Sequence, residues 1–481
     1  MRALHWFRND LRLRDNRALA AAAERAEALL PVFVLDDRLL RGPSAGAARV
    51  RFLLDGLARL ARDLEARGSR LLLLRGAPER VLPRLAREGG FGLVSWSPGP
   101  GPFAARRDAA VRRALARVGV ASLERKDAVL FAAEEIRSRA GGAYGIYTPY
   151  RRAWEAAFAA DPQPPAGLPR LPPPPPRPAS AALPTAAALG LRAEPARLPT
   201  SGEAAAARRL DRFLDSELRG YAERRDLPAE DATSRLSPYL RFGMISVRSC
   251  LHAAREVARR EPAAAAGARR WIDQLVWRDF YAARLEERPE LLGRSQRPEL
   301  DTVRWNDDPA GLAAWCEGRT GFPIVDAGMR QLAAEGWMHN RVRMIAASFL
   351  VKDLLLDWRL GERFFFRCLV DGDPASNDGG WQWVASTGSD AQPWFRIFNP
   401  VLQGERFDPS GRYVRRYVPE LASLPVRSVH RPWEAGAPPA DYPAPIVSHA
   451  ERRGLALARY RAARSRARRP PARGLPEARD P

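Results

Sequence analysis

Short, almost uninterrupted apolar runs alternate with longer stretches of helical period through the first 125 residues, and this alternation restricts the fold more than any other feature. "ALHWF" (3–7), "LLPVFVL" (29–35), "RLLLL" (70–74), "LVSW" (93–96) and "VASLE" (120–124) read as strands. Between them, "RALAAAAERA", "ARVRFLLDGLARLARDLEARG", "ERVLPRLAREG" and "FAARRDAAVRRALARVG" carry helical spacing. A strand that is apolar at nearly every position has no face for water and must lie between two covering layers. Helices between successive strands supply those layers and the crossovers of a parallel sheet. No GxGxxG follows the first run, and "GPGP" at 99–102 holds too much proline for a phosphate cradle, so it reads as a turn.

The pattern stops near residue 130. Residues 131–200 read as a connection, with ten prolines among the seventeen residues from Pro162 to Pro178, five of them consecutive. Such a stretch favours polyproline II and packs no core. From Ser201 to about residue 460 the period is helical. In "WIDQLVWRDFYAARLEE" (271–287), Ile272, Leu275, Val276 and Ala283 form one apolar stripe, while Gln274, Trp277, Arg278 and Tyr281 share another face. An aromatic face that also carries an amide and a guanidinium suits a cavity wall. In "MHNRVRMIAASFLVKDLLLDW" (338–358), Val342, Ile345 and Phe349 fall on the buried side while Asn340, Arg341 and Met344 point elsewhere. Residues 461–481 are rich in Arg and Pro without an apolar period and are expected to be a disordered basic tail.

Charge bears on partners. The chain has 78 basic and 56 acidic residues among 481, a net charge of +22, which favours polyanions and nucleic acid above all. Lysine occurs only at Lys126 and Lys352, so almost every cation is a guanidinium. A GC-rich genome accounts for that exchange but not for the excess of positive charge. Cys250, Cys316 and Cys368 are far apart in sequence and form no CxxC pair, which argues against zinc, an iron–sulfur cluster or a disulfide framework. "MRALHWFRNDLRLRDN" has no apolar core of a signal peptide, and no run of eighteen apolar residues is present. A cytoplasmic, metal-free monomer without membrane contact is expected.

The stretches "WFRNDLRLRDNRAL", "TSRLSPYLRFG", "QLVWRDFY", "GRTGFPIVDAGMRQL", "GWMHNRVRMIAASFLVKDLLLDWRLGERFF" and "DGDPASNDGGWQWVASTGSDAQPWFRIFNP" occur in this order. Together they resemble the photolyase/cryptochrome family over residues 1 to about 460, and most closely its bacterial class I cyclobutane pyrimidine dimer photolyases. The resemblance implies a Rossmann-like α/β domain (1–130) with a five-stranded parallel sheet and an all-α domain (201–460) that binds FAD and DNA. It implies light-driven repair, in which reduced FAD transfers an electron to a flipped-out dimer in UV-damaged DNA and splits it to monomers.

Carried over position by position, Tyr221, Thr233, Ser234, Arg235, Leu236 and Ser237 match residues at the cofactor's phosphates and ribityl chain. Gln274, Arg278, Asn340, Arg343, Asp371, Gly372 and Asp373 match others around it, and Asn377 matches the residue facing flavin N5. Trp381, Trp358 and Trp305 match an electron-hopping chain. Arg225, Gln274, Trp277, Asn340, Arg341, Met344, Trp383 and Gln403 match positions at the DNA and the lesion, where stacking on Trp277 and Trp383 would contribute about 1–3 kcal/mol per base. From spacing alone, Asn377 reads as a turn former before Gly379–Gly380, and three core tryptophans are the ordinary reading of the chain.

Two positions depart from the family. Gln274 stands where the bacterial enzymes usually carry Glu. Gln also occurs there in animal cryptochromes and six–four photolyases, but those have a histidine pair where this chain has His339–Asn340. Phe103 and Ala104 stand where folate-binding members carry an Asn–Glu pair, which speaks against a folate antenna and leaves a deazaflavin, another flavin or no second chromophore. A blue-light photoreceptor (cryptochrome) and a DASH-type single-strand photolyase are the rival readings.

Overall fold

The computed structural model describes residues 1–467 apart from Pro100, Arg139, 177–178, 192–194, Ala196, 389–395 and 436–438. Five strands, β1 (Arg2–Phe7), β2 (Ala28–Leu35), β3 (Leu72–Arg75), β4 (Leu93–Trp96) and β5 (Ala121–Glu124), form one sheet in the order β3-β2-β1-β4-β5. All neighbouring pairs are parallel, with Leu4 of β1 opposite Leu30 on one side and Val94 on the other. Each of the four helices expected between strands is present, the longest being Ala47–Glu65. From Ala3 onward every residue of β1 is buried, as a strand covered on both faces requires. The strand order reverses at β1/β4, so the carboxyl ends of those strands open a crevice there.

From Glu203 onward the chain is helical. The helix Ala265–Glu287 crosses its centre and buries Trp271, Leu275, Val276, Phe280 and Ala283, while Gln274, Trp277, Arg278 and Tyr281 are only partly covered. Of the apolar stripe read from sequence, Leu275, Val276 and Ala283 are buried, while Ile272 is only partly covered. The long segment 338–358 is not one helix. Asn340–Ser348 gives way to a wider turn at Phe349–Asp353, and a new helix begins at Trp358, capped by the Asp357 carboxylate accepting from Arg359 N at 3.0 Å.

The α/β and helical parts meet through buried charge. Arg12 reaches Asp127 at 2.7 Å and Gly243 O at 3.0 Å, and Arg248 reaches Asp15 at 2.9 Å as well as Asp127. Gly243, at φ +59°, lies so close to the N-terminal domain that a Cβ there would come within 2.0 Å of Asn9 O. The proline-rich connection runs along the sheet: Leu29 N donates to Pro173 O (3.3 Å), Ala181 N to Leu73 O (2.8 Å), and Leu73 N to Ser180 Oγ (3.1 Å).

One boundary needs correction. The final helix, His449–Ala467, continues past Arg461, where a disordered tail was expected to begin. Its stripe of Ala456, Tyr460 and Ala463 is fully packed, Tyr460 and Ala463 against Leu300 and Val303. The alanine-and-arginine composition hides this stripe, because alanine contributes little to an apolar period. The rest of that tail lies outside the described residues. Among the described residues no helix is long and apolar enough to cross a membrane.

Candidate functional site

The helix Pro374–Ala385 organises the site. Its start is fixed by Asp373, whose carboxylate accepts from Ser376 N at 2.9 Å, with Pro374 in the first turn. One turn in, Asn377 Nδ2 donates to Glu362 O (3.0 Å) and to Glu362 Oε1 (2.7 Å). Two acceptors on one side of the amide fix its orientation and leave its carbonyl as the end that can meet a ligand. The sequence allows Asn377 either hydrogen-bonding role; Glu362 removes that freedom. Burial raises the Glu362 carboxyl above its ordinary pKa, against the lowering effect of the Asn377 hydrogen bond.

A further turn on, Trp381 lies against Phe365 (ring centroids 5.0 Å) and Trp315 (6.2 Å). Its ring occupies the space beside Gly361, where a Cβ would meet it at 2.1 Å, so only glycine lets the indole onto the helix that Trp358 begins. Trp381 and Trp358 are buried, whereas Trp305 is half-buried beside Tyr460 at 6.1 Å. At the end of the helix, the buried Lys352 ammonium donates to Ala385 O and Ser386 Oγ, both at 3.3 Å, and lies 3.8 Å from the Tyr460 ring centre. Burial pulls its pKa well down.

Around this helix the polar groups are incompletely matched by protein. Asp371 takes Arg343 Nη2 on one oxygen at 2.8 Å, while its other oxygen is buried with no partner. The half-buried Arg241 donates from Nε to Gly372 O at 2.8 Å, and desolvation lowers its pKa. Arg235 holds a left-handed backbone, φ +47°, inside the Thr233–Ser237 segment; its side chain turns to Asp231 (2.9 Å) and Glu335 (3.4 Å) and lies over Trp337. Strain of about 1–3 kcal/mol in a bulky residue is the kind of backbone cost that ligand-binding segments carry. Tyr221 is buried, with its hydroxyl pKa raised by burial. Arg278 is the exception, since its guanidinium goes to Ala128 O and Leu240 O of the protein itself. An orphaned carboxylate oxygen, a free amide carbonyl, half-buried guanidinium and a strained hydroxyl-rich turn fit the mixed donors and acceptors of a flavin nucleotide.

A second group faces outward. Trp277 and Trp383 line one small pocket together with Phe280, Tyr281, Arg284, Gln296 and Gly379. Tyr147 stacks flat on Trp277 at 3.6 Å and 7°, and its hydroxyl donates to Asp273 O at 3.0 Å. Arg225 donates to Gln274 Oε1 (3.3 Å) and approaches Asp226 (3.7 Å), which also pairs with Arg341 at 2.9 Å. Arg341 lies over Phe407 at 4.4 Å, on the helix Pro400–Phe407 that carries Gln403. Asn340 contacts the Met344 sulfur at 3.7 Å. The preceding His339 is buried, which lowers its pKa to about 4 and keeps it neutral at physiological pH. Glu362, Asp226 and Tyr147 were not anticipated from sequence. Only Asp226 left a trace there, as the acid between Arg225 and the following Leu-Pro.

Between the α/β and helical parts lies a cleft of about 900 Å³, at the crevice beyond β1 and β4. Phe103 and Ala104 line it, and Phe103 lies between Arg38 (5.5 Å) and Arg107 (5.7 Å). Burial lowers the Arg107 pKa to about 10, with Arg8 adding to the effect.

The fold and site together define a two-domain flavin-binding protein. Residues 3–174 match the family described as DNA photolyase, and residues 271–462 match the FAD binding domain of DNA photolyase. A deoxyribodipyrimidine photo-lyase of Halobacterium salinarum is 43% identical, the alignment covering 96% of this chain and 99% of the relative. The crystal structure of a bacterial class III photolyase from Agrobacterium tumefaciens superposes with a TM-score of 0.88 at 41% identity, over 96% of this chain and 98% of that one. An archaeal photolyase from Sulfolobus tokodaii, described with two FAD molecules and a novel light-harvesting cofactor, gives 0.81 at 32% identity, over 96% of this chain and all (100%) of that one. The chain belongs to the DNA photolyase family, and it is to the family, rather than to one class within it, that these likenesses assign it.

Proposed function

We propose that this protein is a deoxyribodipyrimidine photo-lyase that binds UV-damaged DNA and splits cyclobutane pyrimidine dimers in light. The observation that carries this reading is the grouping of functions on one helix: Asp373 caps its start, Asn377 is oriented by Glu362, and Trp383 near its end shares a pocket with Trp277. Bound FAD supplies the light-driven one-electron chemistry. Asp371 and Arg343 would hold its ring system and ribose, Tyr221 and the 233–237 segment its phosphates, and Asn377 would present a carbonyl acceptor. Trp277 and Trp383 would stack the displaced bases, and Arg225, Arg341 and Gln403 would meet the strand. The test is illumination of dimer-containing oligothymidylate with reduced enzyme, following absorbance at the thymine band. Recovery of monomer absorbance is expected; none, with reduced flavin bound, would favour the photoreceptor reading.

The half-buried position of Trp305 supports its role as the entry point for electrons from solution. Trp305→Phe should abolish photoreduction of oxidised enzyme by an external reductant and leave repair by chemically pre-reduced enzyme nearly intact. Normal photoreduction in the variant would place the route elsewhere. In this cleft, which Glu362 and Asp373 also line, the ring of Phe103 between Arg38 and Arg107 supports a second chromophore with a planar, anionic ring. An absorption band beyond those of one FAD in the purified protein, lost in Phe103→Asp, is the expected sign.

A further inference from the structure

The half-buried Trp305 packs against the cluster of Leu300, Val303, Tyr460 and Ala463, and the residue before it, Arg304, is exposed. From the final helix, Arg459 donates through Nη1 to Arg304 O at 2.7 Å and through Nη2 to Asn306 Oδ1 at 2.9 Å. Its guanidinium thus spans the two residues that flank the indole. Asn306 is tied in turn to the helical core, its N donating to Leu355 O and its Nδ2 to Leu354 O, both at 2.8 Å. The charge beside the ring is therefore held in place by neutral acceptors. Among the described residues no carboxylate lies within ion-pair distance of Arg304 or Arg459. Burial lowers the Arg459 pKa, and Arg452 and Arg304 add to the effect as neighbouring cations do. The acids of the surroundings are engaged elsewhere: Asp301 and Asp357 with Arg359, Asp353 with His449, and Asp308 with Gly311 N at 2.8 Å. Asp307 is exposed and offsets only part of this charge.

We propose that Arg304 and Arg459 make the mouth of the electron path selective for small anionic one-electron reductants. The inference rests on the reading of Trp305 as the entry point for electrons from solution. In the step concerned, the indole radical cation of Trp305 gains one electron and returns to neutral indole, while the donor loses one. No bond is made or broken and no proton need move. The donor must come close to the exposed part of the ring, and there it meets two guanidinium groups that no carboxylate neutralises. Unpaired charge acts over about the Debye length, roughly 10 Å at 0.1 M salt, so it draws in an anion and turns away a cation before contact. Small thiolates and enediolates belong to the class that fits.

The experiment flashes the FAD-loaded, oxidised protein and follows the decay of the indole radical absorption against donor concentration. Two ferrocenes serve as donors, one carrying a carboxylate and the other a trimethylammonium group, so that the reacting iron is the same and the sign of the charge differs. At low ionic strength the anionic donor should react at least about fivefold faster, and the ratio should shrink as salt is added. Arg304→Gln should lower the low-salt ratio, and Arg304→Gln combined with Arg459→Gln should lower it further; intrinsic donor strength cancels between variants. Arg459→Lys, which keeps the charge and loses the two-pronged hold, should preserve the ratio. A ratio that salt does not change, or a wild-type ratio in the double variant, overturns the proposal. So does an equal fall in Arg84→Gln combined with Arg113→Gln, two exposed arginines of the α/β part, because net charge alone would then account for the preference. Trp305→Phe separates the proposal from the reading it rests on. The donor-accessible radical should vanish in that variant; if it persists with the same ratio, electrons enter elsewhere and the proposal falls with that reading.

Discussion

The buried carboxylates of this protein fall into two groups. Where the α/β and helical parts meet, burial pushes the carboxyl of Asp127 up, but Arg12 and Arg248 outweigh it and hold it below the ordinary range. Asp10 is likewise held low, against burial, by His5 and Arg8. Inside the helical domain, burial wins. Asp279, which accepts from Leu130 N (3.0 Å), Phe131 N (3.4 Å) and Trp154 Nε1 (3.1 Å), rises to about 6. Asp378, which accepts from Gly293 N (2.9 Å) and Gln382 Nε2 (2.8 Å), rises to about 7. At Asp127 two guanidinium groups outweigh the cost of burial, whereas at Asp279 and Asp378 the hydrogen-bond donors, with Arg278 and Arg359 near them, do not. The domain interface is thus held by charges that complete one another, whereas inside the helical domain burial moves Asp279 and Asp378 toward their neutral form.

The largest effect should come from breaking the interface set. Arg248→Ala takes from Asp15 the guanidinium paired with its carboxylate and leaves Asp127 with Arg12 alone, and it should destabilise the protein by about 3–5 kcal/mol in urea unfolding. A loss below about 1 kcal/mol would mean that water replaces the guanidinium and the pairing is incidental.

Titration sharpens the contrast, because the two groups have opposite signs. A carboxyl whose folded pKa is raised contributes stability that is complete below its unfolded value near 4 and is lost as pH rises through the folded value. Asp279 and Asp378 should therefore make stability fall between about pH 4 and pH 7, each by on the order of 2–4 kcal/mol. Asp127 works the other way: its contribution is present above pH 4 and is lost as acid carries it down through its lowered folded value. Melting curves from pH 4 to 8 should lose about half of this decline in Asp279→Asn or Asp378→Asn. An unaltered slope would place the titrating groups elsewhere.

A smaller effect is expected at the site's incomplete pair. In Asp371→Asn the amide can still accept from Arg343, so the fold should lose only about 1–2 kcal/mol while FAD content falls measurably on gel filtration. Retention of flavin with wild-type stoichiometry would show that the orphaned oxygen of Asp371 has no bearing on cofactor binding.

The sheet and its strands were legible because each strand is covered on both faces, so that burial is written into consecutive residues. Both stripes of the helix Ala265–Glu287 were legible for the related reason that they follow a single local period. What was not legible is pairing across distance. Glu362 lies one turn beyond Trp358, and nothing in its neighbourhood says that it will fix the amide of Asn377. Asp226 pairs with Arg341, more than a hundred residues later. Tyr147 belongs to a stretch that reads as connection, yet it stacks on Trp277. The break at Phe349–Asp353 was missed because a wide turn keeps nearly the same apolar spacing as the helix it interrupts. The site residues themselves were named through resemblance, and it is the geometry that adds which end of each amide points where.

The proline-rich connection along the sheet bears on how the molecule avoids its own kind. A parallel sheet ends in strands whose outer backbone groups could accept a strand from another molecule. At β3 the chain itself takes up Leu73 N and Leu73 O through Ser180 and Ala181, closing that border from within. The segment that does so carries its prolines just upstream, and a proline has no N–H to extend the ladder outward. The connection therefore serves as a selvedge: it covers Leu73 of the edge strand with the chain's own backbone, which a strand from another molecule would have to displace to pair there.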